Sequence, residues 1–332
     1  MLLQVKDLAV SFKTYRGKVH AVRNVSFTVE KGQALGIVGE SGCGKSVTSH
    51  AIMGLLPREN SSIEQGSIVF NNQEIMNLTE HQMNKIRGKD IAMIFQDPMT
   101  SLNPVLTIGS QIREILFLHN DITKMEVNKR AVELLQLVGI PSAEKRLKDY
   151  PHQFSGGMRQ RVMIAMALSC NPKLLIADEP TTALDVTVQA QILDLLKKLK
   201  TELNMAIILI SHDLGVIANL CDKVAVMYAG EIIEQGDSRD IFYQAHHPYT
   251  KGLLKSLPRL SDKKSQPLNV IEGQPPDLKE IIDYCPFAKR CHKAMKVCTK
   301  FMPEITKVSN NHYVKCWLEH EFAKNLNKAG AN

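Results

Sequence analysis

Short runs of wholly apolar residues recur along about the first 250 residues of the chain and alternate with amphipathic stretches. The runs ALGIV at 34–38, LLIA at 174–177 and AIILI at 206–210 are apolar at every position. Such runs predict strands buried on both faces, in a mostly parallel sheet. Between the last two runs, residues 188–203 place apolar side chains three or four positions apart, which predicts a helix with one buried face. Strand, helix and strand in this order predict an α/β fold with right-handed crossovers.

Two other parts of the chain break this alternation. Residues from about 100 to 171 hold no strand-like run, contain three prolines and include a predicted helix at 125–139. We interpret this part as a helical insertion. Beyond residue 250, prolines become frequent and four cysteines crowd together. The sequence therefore predicts a domain over residues 1–250, with its helical insertion at about 100–171, and a small cysteine-rich extension over 251–332.

Composition places the chain among ordinary globular proteins. It has 332 residues, 44% of them hydrophobic, which is enough for a large core. No apolar run approaches the roughly 20 residues of a membrane span, and Lys6 and Asp7 interrupt any signal peptide, so we expect the protein in the cytoplasm. The net charge of +7 is spread along the chain. This fits phosphate handling or an anionic membrane surface better than nucleic-acid binding, which favours a dense basic stripe.

A glycine-rich loop follows the first apolar run and leads into a predicted helix at 47–56. It matches the pattern G-x-x-x-x-G-K-[ST] with Gly39, Glu40, Ser41, Gly42, Cys43, Gly44, Lys45 and Ser46. The glycines let backbone N–H groups point at phosphate oxygens, and the helix N-terminus favours an anion. Lys45 is predicted to reach the β- and γ-phosphates of ATP, and Ser46 to bind Mg²⁺. The same helix N-terminus favours a lowered pKa for the Cys43 thiol.

Two acidic residues stand at the end of the second apolar run. Asp178 and Glu179 follow LLIA directly, at the carboxyl end of a predicted parallel strand, where ligands bind in such sheets. Asp178 is suited to the Mg²⁺ shell. Glu179 is suited to a base that orients the attacking water. The sequence therefore predicts an ATPase of the P-loop class.

Further motifs lie around these two and make the chain resemble the ATP-binding-cassette (ABC) ATPases. They are IFQDP at 94–98, FSGGMRQR at 154–161, ALD at 183–185 and SHD at 211–213. The resemblance implies a RecA-like core with a helical subdomain. It also implies that Gln96 contacts Mg²⁺ and the attacking water, and that His212 contacts the γ-phosphate and Glu179. In that family an aromatic residue upstream of the phosphate loop stacks on adenine, and Phe12 and Tyr15 are both candidates.

The same resemblance implies a composite site between two paired domains. Ser155, Gly156 and Gly157 would bind the γ-phosphate held by the partner domain, and Asp185 would lie at the dimer seam. The chain departs from the family at Met158, where glutamine is usual. A thioether does not replace the hydrogen bonds of an amide, so two composite sites could differ. For this reason we expect a heterodimer with a paralogous ATPase subunit.

Within that family, the chain most resembles the ATP-binding subunits of dipeptide and oligopeptide importers. The segments QDPMTSLNP at 96–104, YPH at 150–152, ALDVT at 183–187 and HHPYT at 246–250 carry this resemblance. It implies a peripheral subunit on the cytoplasmic face of the inner membrane that powers peptide import. Its partners would be two transmembrane permease subunits and an extracytoplasmic peptide-binding protein. Nickel, metal chelates and glutathione-like solutes remain alternative cargoes, and ABC ATPases of DNA repair or translation are less favoured alternatives.

The four C-terminal cysteines are Cys285, Cys291, Cys298 and Cys316. Four thiolates suit tetrahedral Zn²⁺ or a [4Fe–4S] cluster, and the spacing matches neither the ferredoxin nor the common zinc pattern. Resemblance to the peptide-importer branch favours the iron–sulfur cluster; reduced thiols or a local disulfide remain open. His292 and His312 are alternative ligands that we expect in solvent. The predicted role is structural, since a short polar segment needs a cross-link such as a bound metal centre to fold.

Overall fold

The computed structural model describes residues 1–97, 101–120, 122–181, 184–256, 271–321 and 323. Within these residues the strands are β1 Leu3–Thr14, β2 Gly17–Val29, β3 Ala34–Val38, β4 Ser61–Phe70, β5 Gln73–Glu74, β6 Ile91–Ile94, β7 Leu174–Asp178, β8 Ala206–Ile210, β9 Lys223–Tyr228, β10 Glu231–Asp237, β11 Ile305–Lys307 and β12 Tyr313–Lys315. The α-helices are α1 Lys45–Ile52, α2 Glu80–Ile86, α3 Ile108–His119, α4 Lys124–Leu137, α5 Ala143–Arg146, α6 Gly156–Ala167, α7 Val186–Glu202, α8 Leu214–Leu220, α9 Ser238–Tyr243 and α10 Pro248–Lys255.

The centre of the sheet is parallel. Strands run β9-β3-β8-β7-β6, and each neighbouring pair is parallel. All residues of β3, β7 and β8 are buried, as the wholly apolar runs predict. In β8, Ile207 and Leu209 enter one core while Ala206, Ile208 and Ile210 enter the other, so the sheet separates two hydrophobic layers. The predicted α/β class is confirmed.

An antiparallel region, which the sequence analysis does not identify, extends the sheet. Strands β5, β4, β1 and β2 follow one another, and β2 joins the rest of the sheet through β10. The pairing of β1 with β4 shifts register between Lys6 and Ala9 and again between Ala9 and Val10. Such irregularities interrupt the alternation of apolar and polar positions by which a half-buried strand is recognised.

Helices α3 to α6 occupy the part predicted as a helical insertion. The described residues from 95 to 173 hold these helices and no strand. Helix α4 runs over Lys124–Leu137, close to the predicted 125–139, and begins at a capping box between Thr123 and Glu126. Helix α1 begins at Lys45 and ends at Ile52, whereas the sequence predicts 47–56, because Gly54 adopts a left-handed conformation.

The described part of the C-terminal segment packs on the preceding domain. Strand β12 pairs with β10 of the main sheet, and Phe287 enters the core shared with the helical region. His312 is buried and its Nε2 lies 2.8 Å from Glu234 Oε1, so the expectation that this histidine is in solvent is wrong. His312 is buried because it directly precedes β12, which pairs with β10 of the main sheet. Within the described residues, no helix has the length and apolar character needed to cross a membrane.

Candidate nucleotide-binding and catalytic site

The phosphate loop connects β3 to α1 and requires glycine at two close approaches. A Cβ atom on Gly39 would lie 2.2 Å from the Met227 carbonyl oxygen, and one on Gly44 would lie 2.4 Å from that of Ala21. The Lys45 side chain is buried beneath the loop and donates to the carbonyl oxygens of Gly39, at 2.8 Å, and Glu40, at 3.0 Å. The loop thus holds a buried ammonium group beside the amino end of a helix, where both favour an anion.

Cys43 is buried within this loop, with a relative exposure of 5%. Burial raises the pKa of its thiol, and the nearby Lys45 ammonium lowers it only in part. The expected lowering by the helix N-terminus is therefore wrong, because desolvation of the thiolate is the larger effect. The side chain serves as a small packing residue beneath Gly39.

Asp178 and Ser46 meet at the carboxyl end of β7. Asp178 is buried and hydrogen-bonds the Ser46 side chain, while its Oδ1 atom has no hydrogen-bond partner within the described residues. Burial raises the pKa of the carboxyl, and the bond to Ser46 offsets this in part. A buried, unpaired carboxylate oxygen beside a hydroxyl fits a hard divalent cation such as Mg²⁺.

Glu179 lies between two of the predicted catalytic side chains. Gln96 Nε2 donates to its Oε2 at 2.9 Å, and His212 Nδ1 lies 3.2 Å from its Oε1. The backbone of Glu179 has a φ of +47°, a strained conformation for a residue other than glycine. Three side chains from separate loops therefore converge at the carboxyl ends of β6, β7 and β8, in an arrangement that fixes the direction of one carboxylate.

The SGG segment begins helix α6. Ser155 is its N-cap and accepts a hydrogen bond from the Met158 N–H at 3.3 Å. A Cβ on Gly156 would lie 3.9 Å from a Leu184 methyl carbon, an ordinary contact, whereas one on Gly157 would lie 2.7 Å from a Val188 methyl carbon. Met158 packs against the core, which explains how a thioether is accommodated where the family has an amide. The first N–H groups of a helix lack internal partners, so this end favours an anion.

Asp185 and the two aromatic candidates differ in their surroundings. Asp185 caps helix α7 by accepting from the Val188 N–H at 2.9 Å, next to residues 182–183, which lie outside the described chain.

Phe12 is half-buried on β1 and packs against a core. Tyr15 stands in the turn between β1 and β2, is 90% exposed and has the Arg16 guanidinium 5.1 Å from its ring centre. Of the two rings, that of Tyr15 is open to a ligand.

The four C-terminal cysteines lie in one region. Three are buried and Cys291 is half-buried. Burial raises the pKa of Cys285 to about 11 and that of Cys316 to about 12, and the other cysteines of the group add to both shifts. Among the described residues, no group of three or more potential ligands is arranged to hold a metal ion. The predicted iron–sulfur or zinc centre therefore has no support from this geometry.

A large surface groove separates α2 and β6 from the helical region. Its volume is about 900 Å³. Its apolar wall is formed by Met93, Phe95, Leu102, Leu118, Met163 and Met166. Lys85 and Lys89 also line it. Phe95 lines the groove, and the next residue, Gln96, hydrogen-bonds Glu179. These two adjacent residues therefore connect the groove to the catalytic carboxylate.

One contact to the phosphate loop has no signal in the sequence. Arg290, from the C-terminal segment, forms a bidentate ion pair with Glu40 of the loop. No periodicity or motif relates two residues 250 positions apart. Only the structure brings them together.

Comparisons with known proteins agree on one family. Residues 22–182 match the family model described as ABC transporter, and residues 233–298 match that of the oligopeptide/dipeptide transporter C-terminal region. The chain is 57% identical over 319 residues to the oligopeptide transport ATP-binding protein OppD of Bacillus subtilis, covering 96% of this chain and 89% of the relative. It is 54% identical over 329 residues to the dipeptide transport ATP-binding protein DppD of the same organism, covering 99% and 98%.

Solved structures agree as well. The dimeric structure of a post-hydrolysis state of the ATP-binding cassette MJ0796, bound to ADP and phosphate, matches with a TM-score of 0.65 at 29% identity. The match covers 72% of this chain and 99% of the cassette.

Proposed function

The chain belongs to the ABC transporter family, in its oligopeptide/dipeptide branch, and we propose that it is the ATP-hydrolysing subunit of a peptide importer. The observation that carries this proposal is identity above 50% over nearly the whole chain to subunits named for oligopeptide and dipeptide transport. The match extends to the C-terminal region that characterises such transporters. We place the subunit on the cytoplasmic face of the membrane. Nickel, metal chelates and glutathione-like solutes are not favoured as cargo.

Binding of ATP follows from the phosphate loop. The Lys45 ammonium exchanges its bonds to loop carbonyls for bonds to the β- and γ-phosphates, with backbone N–H groups around them. Asp178 and Ser46 are the residues that would hold Mg²⁺, which neutralises phosphate charge when bound. We assign adenine stacking to Tyr15, since its ring is exposed while the half-buried Phe12 packs against a core.

Hydrolysis follows from Glu179. Its carboxylate accepts a hydrogen bond from a water molecule and orients it toward the γ-phosphorus. A bond forms between the water oxygen and the phosphorus, the bond to the bridging oxygen of ADP breaks, and the water proton passes to the carboxylate. Gln96 and His212 hold the carboxylate in place on either side. Separate contacts for its two oxygens fix its direction before substrate arrives.

Two such domains must pair to complete the site. We propose that Ser155, Gly156 and Gly157 at the start of α6 bind the γ-phosphate held by the partner, and that Asp185 lies at the seam. Support comes from the position of these residues at the amino end of helix α6, which favours an anion, with Ser155 as its N-cap. We favour a paralogous partner because the chain carries Met158 in this segment. ATP bound between the domains stabilises the closed pair, and hydrolysis releases it.

The apolar groove is our proposed contact with the permease. An amphipathic helix that lays its apolar face into a groove is a common mode of recognition. The groove has a volume of about 900 Å³ and is bordered by the same β6 end that carries Gln96. Closure around ATP would therefore be transmitted through Gln96 and Phe95 to the permease.

The proposed function predicts a specific stimulation. The chain, co-purified with two permease subunits and a paralogous ATPase in lipid vesicles, should hydrolyse ATP at least about fivefold faster when binding protein loaded with an oligopeptide is added. The measurement is phosphate release with and without peptide, with nickel-loaded or glutathione-loaded binding protein as comparison. Stimulation by nickel or glutathione but not by peptide would contradict the peptide assignment.

For the cysteine group we propose a [4Fe–4S] cluster with a structural role. The support is resemblance to the branch, together with the packing of Cys285, Cys291 and Cys298 against one hydrophobic core and the hydrogen bond from the Cys285 N–H to the Cys298 carbonyl at 3.0 Å.

Anaerobic purification tests this assignment. We expect brown protein that absorbs at about 400 nm and contains about four iron atoms per chain. Replacing Cys298, one of the buried members, with alanine should remove the absorbance and the iron together. Replacing Cys170, which lies in the helical region, is the matched control and should change neither. Colourless protein with one zinc per chain would contradict the cluster.

A further inference from the structure

The C-terminal segment reaches the phosphate loop through one arginine. Arg290 Nη1 donates to Glu40 Oε2 at 2.8 Å, and Nη2 donates to Glu40 Oε1 at 3.0 Å. The Arg290 side chain is 6% exposed and that of Glu40 is 26% exposed. A bidentate pair of this kind is both strong and specific in direction, more so than an exposed ion pair.

Every donor of the Arg290 guanidinium is used. Besides Glu40, Nη1 donates to the Tyr228 hydroxyl at 3.3 Å, Nη2 to the Ile271 carbonyl at 3.1 Å and Nε to the Glu272 carbonyl at 3.0 Å. The group also lies 5.7 Å from the centre of the Tyr228 ring. A guanidinium satisfied on all sides has one orientation, so it fixes the position of the Glu40 carboxylate.

The backbone of Glu40 is held by a second residue. Its N–H donates to the hydroxyl oxygen of Tyr249 at 2.9 Å, and Tyr249 is fully buried on α10. The Glu40 carbonyl accepts from Lys45, the residue that contacts phosphate in the proposed site. Arg290, Glu40 and Lys45 therefore form one continuous set of contacts from the C-terminal segment to the phosphate-binding ammonium.

The charges in this set decide its effect on ATP. A carboxylate in a loop that binds phosphates repels them, and the repulsion is strong at short range in a partly buried site. Arg290 compensates that charge and turns the carboxylate toward the C-terminal segment. We propose that Arg290 is a positioning residue for ATP, through which the C-terminal segment holds the phosphate loop in its binding conformation. The inference rests on the proposed function only in requiring that this loop bind ATP.

The test is a double-mutant cycle on the full chain. Arg290→Gln leaves the Glu40 charge uncompensated, so the dissociation constant for a fluorescent ATP analogue, titrated in the presence of Mg²⁺, should rise about tenfold. In phosphate-release assays KM should rise similarly, with kcat changed less than about twofold. In a Glu40→Gln chain, the further replacement Arg290→Gln should change the dissociation constant less than about threefold, because no charge is then left to compensate.

Lys315→Gln is the matched control. It also breaks an ion pair between the C-terminal segment and the main sheet, with Glu231 of β10 at 3.0 Å, and involves no side chain of the phosphate loop. It should leave nucleotide affinity unchanged, and the unfolding midpoint of each chain is measured without nucleotide. Unchanged affinity in Arg290→Gln would overturn the inference, and so would a loss of equal size in the Glu40→Gln background. A parent chain that binds no nucleotide would instead refute the proposed function.

Discussion

A Glu179→Gln chain should bind ATP with the affinity of the parent and hydrolyse it at least about a hundredfold more slowly. Glutamine keeps the size of the side chain and one carbonyl oxygen, so the position between Gln96 and His212 is retained. An amide does not accept the proton of the attacking water, however. Nucleotide affinity depends on the phosphate loop, which the substitution does not touch. Single-turnover phosphate release, measured beside equilibrium binding of ATP, separates the two effects.

The control for this substitution is Glu202→Gln. Glu202 ends helix α7 and pairs with Lys198 at 3.8 Å on the surface, so the same chemical change is made outside the site. Its turnover should equal that of the parent. Turnover of Glu179→Gln within about fivefold of the parent would remove Glu179 from the proposed role.

The parallel centre of the fold could be predicted because its strands are buried on both faces. Runs such as 206–210 are apolar at every position, and the structure places β8 over the same five residues. The antiparallel region could not be predicted in this way. Strand β1 carries register shifts on both sides, so its buried positions do not alternate. Pairing between such strands depends on their neighbours, which one sequence does not reveal.

The site was predicted where its chemistry is local. The loop that ends in Lys45 and Ser46 is contiguous, and the family resemblance implies the contact between His212 and Glu179 that the structure has. The hydrogen bond from Gln96 to Glu179 is not among the implied contacts. Properties set by burial were not predictable, and the raised pKa of Cys43 is the clearest case. Neither was the pair between Glu40 and Arg290, since it depends on how the C-terminal segment packs.

The second large effect is expected at Lys45. A Lys45→Met chain should bind ATP at least about a hundredfold more weakly, because the charge-assisted bonds to two phosphates are lost together. Methionine has a similar length and suits the buried position, where the parent side chain is 6% exposed. The carbonyl groups of Gly39 and Glu40 lose the donor that holds them in the free protein. Equilibrium titration with a fluorescent ATP analogue measures the loss.

Lys200→Met separates loss of binding from loss of folding. Lys200 is a partly buried lysine outside the site, and its Nζ lies 2.8 Å from Asp222 Oδ2. Its replacement therefore removes one lysine charge from a position that is, like that of Lys45, shielded from solvent. We expect Lys200→Met to lower the unfolding midpoint and leave ATP affinity unchanged, whereas Lys45→Met should lower the affinity for ATP. If Lys45→Met bound ATP within about fivefold of the parent, phosphate recognition would rest on the loop backbone alone. Lys45→Met and Glu179→Gln are diagnostic when compared. Lys45→Met should lose ATP binding, whereas Glu179→Gln should bind ATP and lose only its hydrolysis.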